Sequence, residues 1–104
     1  MPAETYNLAN PARPTIAKDP NAVLDYSWDW GEWLAPLSDA IASFQVLIGP
    51  GGTLNVDSTL RVGAVVTAIL SGGTLGATES ATCRIVTAGG RTDDRTIWLK
   101  IMQR

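Results

Sequence analysis

The stretch that most limits what this chain can become is its last quarter, Ala81 to Met102, ATCRIVTAGGRTDDRTIWLKIM. Ala81, Cys83 and Ile85 share one face of a first run, and Ile97, Leu99 and Ile101 share one face of a second. A period of two is that of half-buried strands, whose side chains go to opposite faces in turn. Between the runs, Ala88-Gly89-Gly90 tolerates positive φ, and Asp93-Asp94 carries side chains that can bond to turn backbone. The stretch is therefore expected to be an antiparallel hairpin with its connection between Thr87 and Arg95. Its apolar face obliges the earlier strands to cover it.

Those strands can be read upstream. After the turn signal Asp19-Pro20-Asn21, residues Ala22 to Trp30 place Leu24, Tyr26, Trp28 and Trp30 on one face and Val23, Asp25, Ser27 and Asp29 on the other. Aromatic side chains bury ~150 to 250 Å² each, so at ~25 cal/mol/Å² this face is expected to contribute most to the core. Gly31 to Pro36 breaks the alternation, and Ser38-Asp39 makes the next turn. Ala40 to Ile48 follows as a strand with Ala42, Phe44, Val46 and Ile48 inward, ended by Gly49-Pro50-Gly51-Gly52. Short strands are expected at Thr53 to Val56 and Thr59 to Val62, separated by Asp57-Ser58. Ala64 to Leu70 suits the inside of a sheet, and Ser71 to Gly76 is a wide turn leading into the final hairpin. About seven short strands with almost no helix signal predict an all-β fold, an antiparallel immunoglobulin-like β-sandwich, with a small open barrel as the alternative.

The N-terminal segment reads differently. Four of the six prolines lie within Met1 to Pro20, and proline removes an amide donor while pushing its predecessor toward extended conformations. Residues 1–19 are thus expected to be an extended arm without regular structure, preceding a domain at 20–104. Tyr6, Leu8 and Ile16 are spaced apolar anchors, which suit an arm laid along a neighbouring subunit and ordered only on assembly.

Chemistry-bearing patterns are sparse. The chain has no histidine, so the commonest general base is missing. Its single cysteine, Cys83, lies on an apolar face and cannot form an internal disulfide. Asp25 and Asp29 lack the further oxygen ligands of a calcium loop and read as solvated. Asp93 and Asp94 read as turn formers rather than a tuned acid pair. The Gly49-Pro50-Gly51-Gly52 run lacks the Lys-Ser/Thr pair and helix of a phosphate loop. No cofactor and no enzymatic activity are expected. The net charge of −2 is interspersed, which makes nucleic acid a poor partner. No apolar run approaches the ~18 residues of a membrane span, and the first residues do not read as a secretory signal. Trp33 has no place on a strand face, so it either caps an open end of the core or anchors a partner. Arg91 and Arg95 flank Asp93 and Asp94, an arrangement suited either to local ion pairing or to bidentate contact with an adjacent subunit.

Two segments carry a resemblance. KDPNAVLDYSWDWGEWL, from Lys18 to Leu34, and SGGTLGATESATCRIVTAGGRTDDR, from Ser71 to Arg95, resemble small virion proteins of tailed bacteriophages in the fibre-tail adaptor group. Lys18, Asp19, Pro20, Ala22, Val23, Leu24, Asp25, Tyr26, Asp29, Trp30, Trp33 and Leu34 fit the opening motif. Ser71, Gly72, Gly73, Thr74, Gly76, Thr87, Gly90, Arg91, Thr92, Asp93 and Arg95 fit the ending. The resemblance implies a structural protein of the virion, assembled in the host cytoplasm, that joins tail or neck components and fibres. Its partners would be other virion proteins, met in multiple symmetric copies and without nucleic acid or membrane. Contacts are then expected at Tyr6, Leu8, Ile16, Trp33, Arg91, Asp93, Asp94 and Arg95. A capsid decoration protein of the same fold is one alternative. A glycan-binding module that uses Trp33 and Trp98 as stacking platforms is the other.

Overall fold

The alternating runs close into two stacked four-stranded sheets. A computed structural model describes residues 15–103 and, further upstream, the backbone of Glu4–Tyr6. In chain order the elements are β1 (Glu4–Tyr6), β2 (Thr15–Lys18), β3 (Leu24–Asp29), α1 (Gly31–Leu34), β4 (Ile41–Ile48), β5 (Leu54–Val62), β6 (Val65–Gly72), β7 (Thr78–Thr87) and β8 (Thr92–Ile101). One sheet has the order β1-β3-β6-β5 and the other β2-β8-β7-β4. Between them lie Tyr26 and Trp28 from β3 with Trp30 just beyond its end, Val66, Ala68 and Leu70 from β6, Ala81, Cys83 and Ile85 from β7, and Ile97, Leu99 and Ile101 from β8. The aromatic strand and the final hairpin thus supply opposite walls of one core, as the period of two requires.

Four expectations are corrected. The first concerns Met1 to Pro20, which is not devoid of regular structure. β1 runs parallel to β3, pairing Glu4 with Tyr26 and Tyr6 with Trp28. β2 runs parallel to β8, pairing Ile16 with Leu99 and Lys18 with Ile101, so the sandwich is not wholly antiparallel. Prolines at Pro14 and Pro20 bracket β2 without entering it, which leaves its ladder intact. Ile16 packs against the core of its own chain. Tyr6 is placed only as backbone in β1, and Leu8 lies outside the described residues.

The second correction is at Asp57-Ser58. Two separate short strands were expected on either side of it, but β5 continues through it, with the register against β6 shifting between Val56 and Ser58. One extra residue in a strand makes a bulge, and Asp57 holds it by accepting a bond from the Ser71 hydroxyl at 2.9 Å. A like shift between Ile41 and Ser43 gives the third. Ile41 is buried and Ala42 exposed, reversing their expected sides, because a single-residue offset swaps faces. Fourth, the final ladder runs on to the pair Val86 and Thr92, so the connection is shorter than Thr87 to Arg95 and both aspartates lie within β8.

One end of the sandwich is closed by two buried charges on inward strand positions. Lys18 is fully covered, and its ammonium donates to the carbonyls of Asp19 at 3.0 Å, Ala22 at 2.7 Å and Gly72 at 2.7 Å. Three protons thus meet three acceptors, which is what makes burial of an ammonium tolerable. Burial still lowers the Lys18 pKa from its ordinary value, offset in part by the charges of Asp19, Glu79 and Asp57. Glu79 takes the complementary task. Its Oε1 accepts from the amides of Thr53 at 2.6 Å and Leu54 at 3.0 Å, and its Oε2 from the Thr74 amide at 2.7 Å and the Thr53 hydroxyl at 3.0 Å. Burial acts to raise the Glu79 pKa, but these bonds outweigh it and hold the carboxyl below its usual range. Gly73 is obligatory here, because at φ +106 a side chain would be strained and its Cβ would meet Ile101 Cδ1 at 2.7 Å.

Candidate functional site

The opposite end of the sandwich gathers most of the expected contact residues that fall within the described structure. At the end of β3 the Asp29 carboxylate accepts from the Gly31 amide at 2.8 Å, turning the chain into α1. The Trp33 and Leu34 amides both donate to the Trp30 carbonyl. Leu34 is then buried, and Trp33 is half-buried against the core. Ala35–Leu37 forms a 3-10 turn with proline near its start, and Ser38 ends it in the left-handed region at φ 49.

Trp30 is the fixed point of this end. Its ring is fully covered, and its indole Nε1 donates to Asp93 Oδ2 at 3.1 Å. The Arg95 guanidinium lies over that ring, 5.0 Å from the centroid, and donates to the Asp29 carbonyl at 2.9 Å. Its Nε is 3.4 Å from Asp93 Oδ2. Asp93 and Arg95 therefore hold the indole and the chain leaving it, a cation–π contact joined to hydrogen bonds. The strand period sends Asp94 to the outer face, where Arg84 grips it through two bonds of 2.8 and 2.9 Å. The two aspartates thus sit on opposite faces of one strand, which removes their role as turn formers.

Asp39 organises the neighbouring loop. Its Oδ1 accepts from the amides of Ala40 at 2.8 Å and Gly89 at 2.9 Å, and its Oδ2 from Arg91 at 2.8 Å. The Thr87 hydroxyl, the largest influence, together with those amides and Arg91, outweighs desolvation and holds the Asp39 carboxyl well below the usual range. Gly89 is required by close approach, since a Cβ there would lie 2.8 Å from both Asp39 Oδ2 and Arg91 Nη1. The Arg91 amide in turn donates to the Thr87 hydroxyl at 2.9 Å. The loop is rigid by connectivity, yet the Arg91 side chain remains 45% exposed.

Arg91, Asp93, Arg95 and Trp33 are brought to this end, with Asp94 on the adjoining sheet face. Ile16 is not brought there. Sequence reasoning missed Asp39, Lys18 and Glu79 as organising residues. For Glu79 a signal existed: extending the Ala81, Cys83, Ile85 alternation two residues upstream puts a carboxylate on the inward face. Among the described residues no group of acidic or cysteine side chains is arranged to hold a metal, and no helix is long and apolar enough to cross a membrane. Burial, and secondarily the Asp94 charge, pushes the Cys83 thiol up to about 12, leaving it without thiolate at neutral pH.

Residues 18–100 match the family described as podophage GP4 fiber-tail adaptor protein gp77. The chain belongs to this family. No match is found among curated proteins. The fold brings the two motifs together, since each end of the sandwich draws one part from the opening and one from the ending. Lys18 meets Gly72 at the closed end, and Trp30 meets Asp93 and Arg95 at the other. Such a family is a component of the virion.

Proposed function

We propose that the chain is a non-enzymatic adaptor that joins the tail or neck of a bacteriophage to its fibres, present in several copies of a symmetric assembly. The observation that carries this is the family match over residues 18–100. The geometry supports it by leaving a preformed, charged loop end instead of a cleft. Arg91 is exposed and held by Asp39, and Trp33 stands half-covered in the turn that leaves Trp30, so a partner would meet a surface whose ordering entropy has already been spent in folding. Arg91 would offer its remaining guanidinium donors to a carboxylate or carbonyl of a neighbouring subunit, with Trp33 as an apolar anchor. Asp93, Asp94 and Arg95 contribute chiefly by holding that surface in place. Tyr6 and Leu8 belong to the same proposal as contacts made by residues upstream of β2, whereas Ile16 packs on the core of its own chain.

The test is reconstitution. The purified chain is mixed with separately purified tail and fibre proteins of the same phage, and the mixture is resolved by sedimentation. A complex holding tail and fibre proteins together only when the chain is present is the expected result. A chain that binds neither, or that binds a glycan as an isolated monomer, contradicts the adaptor role.

A further inference from the structure

The outer faces of the two sheets differ in chemistry. On the β2-β8-β7-β4 sheet the outward positions are mostly polar, Thr78, Thr82, Thr96, Lys100 and the Arg84–Asp94 pair, with Val86 and Trp98 among them. On the other sheet Val23, Leu60 and Val62 are 60, 61 and 68% exposed, and Ile69 is also exposed. Val23, Leu60 and Ile69 line one shallow groove with Asp25, Ser58 and Thr67. This apolar face runs to β5, the last strand in its sheet, whose far side has no neighbouring strand among the described residues. Edges are normally blunted by proline, charged side chains, β-bulges or a covering element, and β5 has a bulge at Asp57 and, beyond it, one charge, Arg61, in an otherwise uncharged run. Ser58 to Val62 contains no proline or lysine, and every one of its five side chains is exposed.

We infer that β5 pairs antiparallel with β5 of a second copy of this chain, about a two-fold axis through Leu60. The segment is self-complementary in that register. Ser58 then faces Val62, Thr59 faces Arg61, and Leu60 faces its own copy, so no two like charges lie directly opposite. Its only charge, Arg61, is turned back onto the Gly63 carbonyl at 2.8 Å. The limits of the contact are also built in: the bulge at Asp57 ends regular pairing on one side, and Gly63, at φ +59, on the other. Directly opposed residues share a face, so the groove of one copy continues into that of the next and Leu60 is covered on both. Of the other edge strands, β4 lacks this symmetry. It carries a bulge at its start, and its outward positions Ser43 and Gln45 are polar.

Cysteine pairing tests the register on the full chain, because buried Cys83 does not compete. Leu60→Cys should give a disulfide-linked dimer under mild oxidation. Val62→Cys alone should not, but it should link to Ser58→Cys when the two are mixed. In sedimentation of unmodified chain, Leu60→Lys should weaken self-association at least about tenfold, since it sets like charges directly opposite each other, while the melting temperature of the dilute monomer stays unchanged. A chain that remains monomeric at high concentration overturns the inference. So does a dimer indifferent to Leu60→Lys, or a Leu60 edge that binds only a different virion protein.

Discussion

The two ends of the sandwich are both polar, yet they are built in opposite ways. At one end Lys18 and Glu79 are buried and spend their hydrogen bonds on backbone groups of Asp19, Ala22, Gly72, Thr53, Leu54 and Thr74. At the other, Asp93 and Arg95 hold a buried indole, and a covered Asp39 carboxylate, bonded to the Ala40 and Gly89 amides, holds an Arg91 whose side chain stands 45% in solvent. A buried charge bonded to backbone fixes chain crossings and offers nothing to a partner. A surface pair held by a neighbouring loop contributes little to stability but presents charge in a fixed direction. The difference assigns stability to the Lys18 end and recognition to the Arg91 end.

Trp30 is where the second end joins the core, and Trp30→Ala should have the largest effect. It empties a fully buried aromatic site and should cost about 3 to 5 kcal/mol in chemical denaturation. An unchanged midpoint would mean that the indole is exposed and that the end has no link to the core. Glu79→Ala comes next, at about 3 kcal/mol, because three amides lose a charged acceptor together. Lys18→Met should cost less, about 1 to 3 kcal/mol, since stranded carbonyls are better tolerated than stranded amides and the methylene stem is preserved. Neither loss should shrink in high salt. Arg95→Ala should cost about 1 to 2 kcal/mol through the lost ring contact and the bond to Asp29. If Arg95 outweighed Glu79, the division of labour between the ends would be reversed.

Most of the layered fold was legible because a period of two survives in β3, β7 and β8 and because aromatic residues mark one wall. The boundaries were less so. Bulges at Asp57 and next to Ile41 shift faces by a single residue, and no composition signal announces them. The N-terminal strands were hidden by prolines, whose effect on β2 is only to bound it. At the candidate site the motif residues were visible but not their partners. Asp39 lies fifty residues from Gly89, and only the fold sets the two loops side by side. Lys18 and Glu79 were not singled out, because burial of a charge is unusual.

Acid should affect both ends in the same direction. Glu79, Asp39 and Asp94 all have folded pKa values below their ordinary ones, 4.5 for glutamate and 3.8 for aspartate. A depressed folded pKa means that the unfolded chain takes up protons first. The stability these carboxylates supply is therefore present above their ordinary values and lost as pH falls through their lowered folded values. The denaturation midpoint should decline from about pH 4.5 downward. Glu79→Gln should flatten that decline more at high salt than Asp94→Asn does, because the exposed Arg84–Asp94 pair is already screened. Equal flattening would place both carboxylates in the same kind of environment.

The division between the ends is tested most directly by comparing two exposed positions in the reconstituted tail–fibre complex. Arg91→Glu changes the loop end, and Leu75→Lys changes the exposed turn near the Lys18 end. Each binding constant is measured beside the melting temperature of the free chain. The account predicts that Leu75→Lys melts within a degree or two of the unaltered chain, as exposed substitutions usually do, that Arg91→Glu melts lower because it sets a carboxylate against Asp39 but still folds cooperatively, and that among folded chains only Arg91→Glu weakens the complex, by about tenfold or more. Undiminished binding by Arg91→Glu, together with loss of binding by Leu75→Lys, would contradict it.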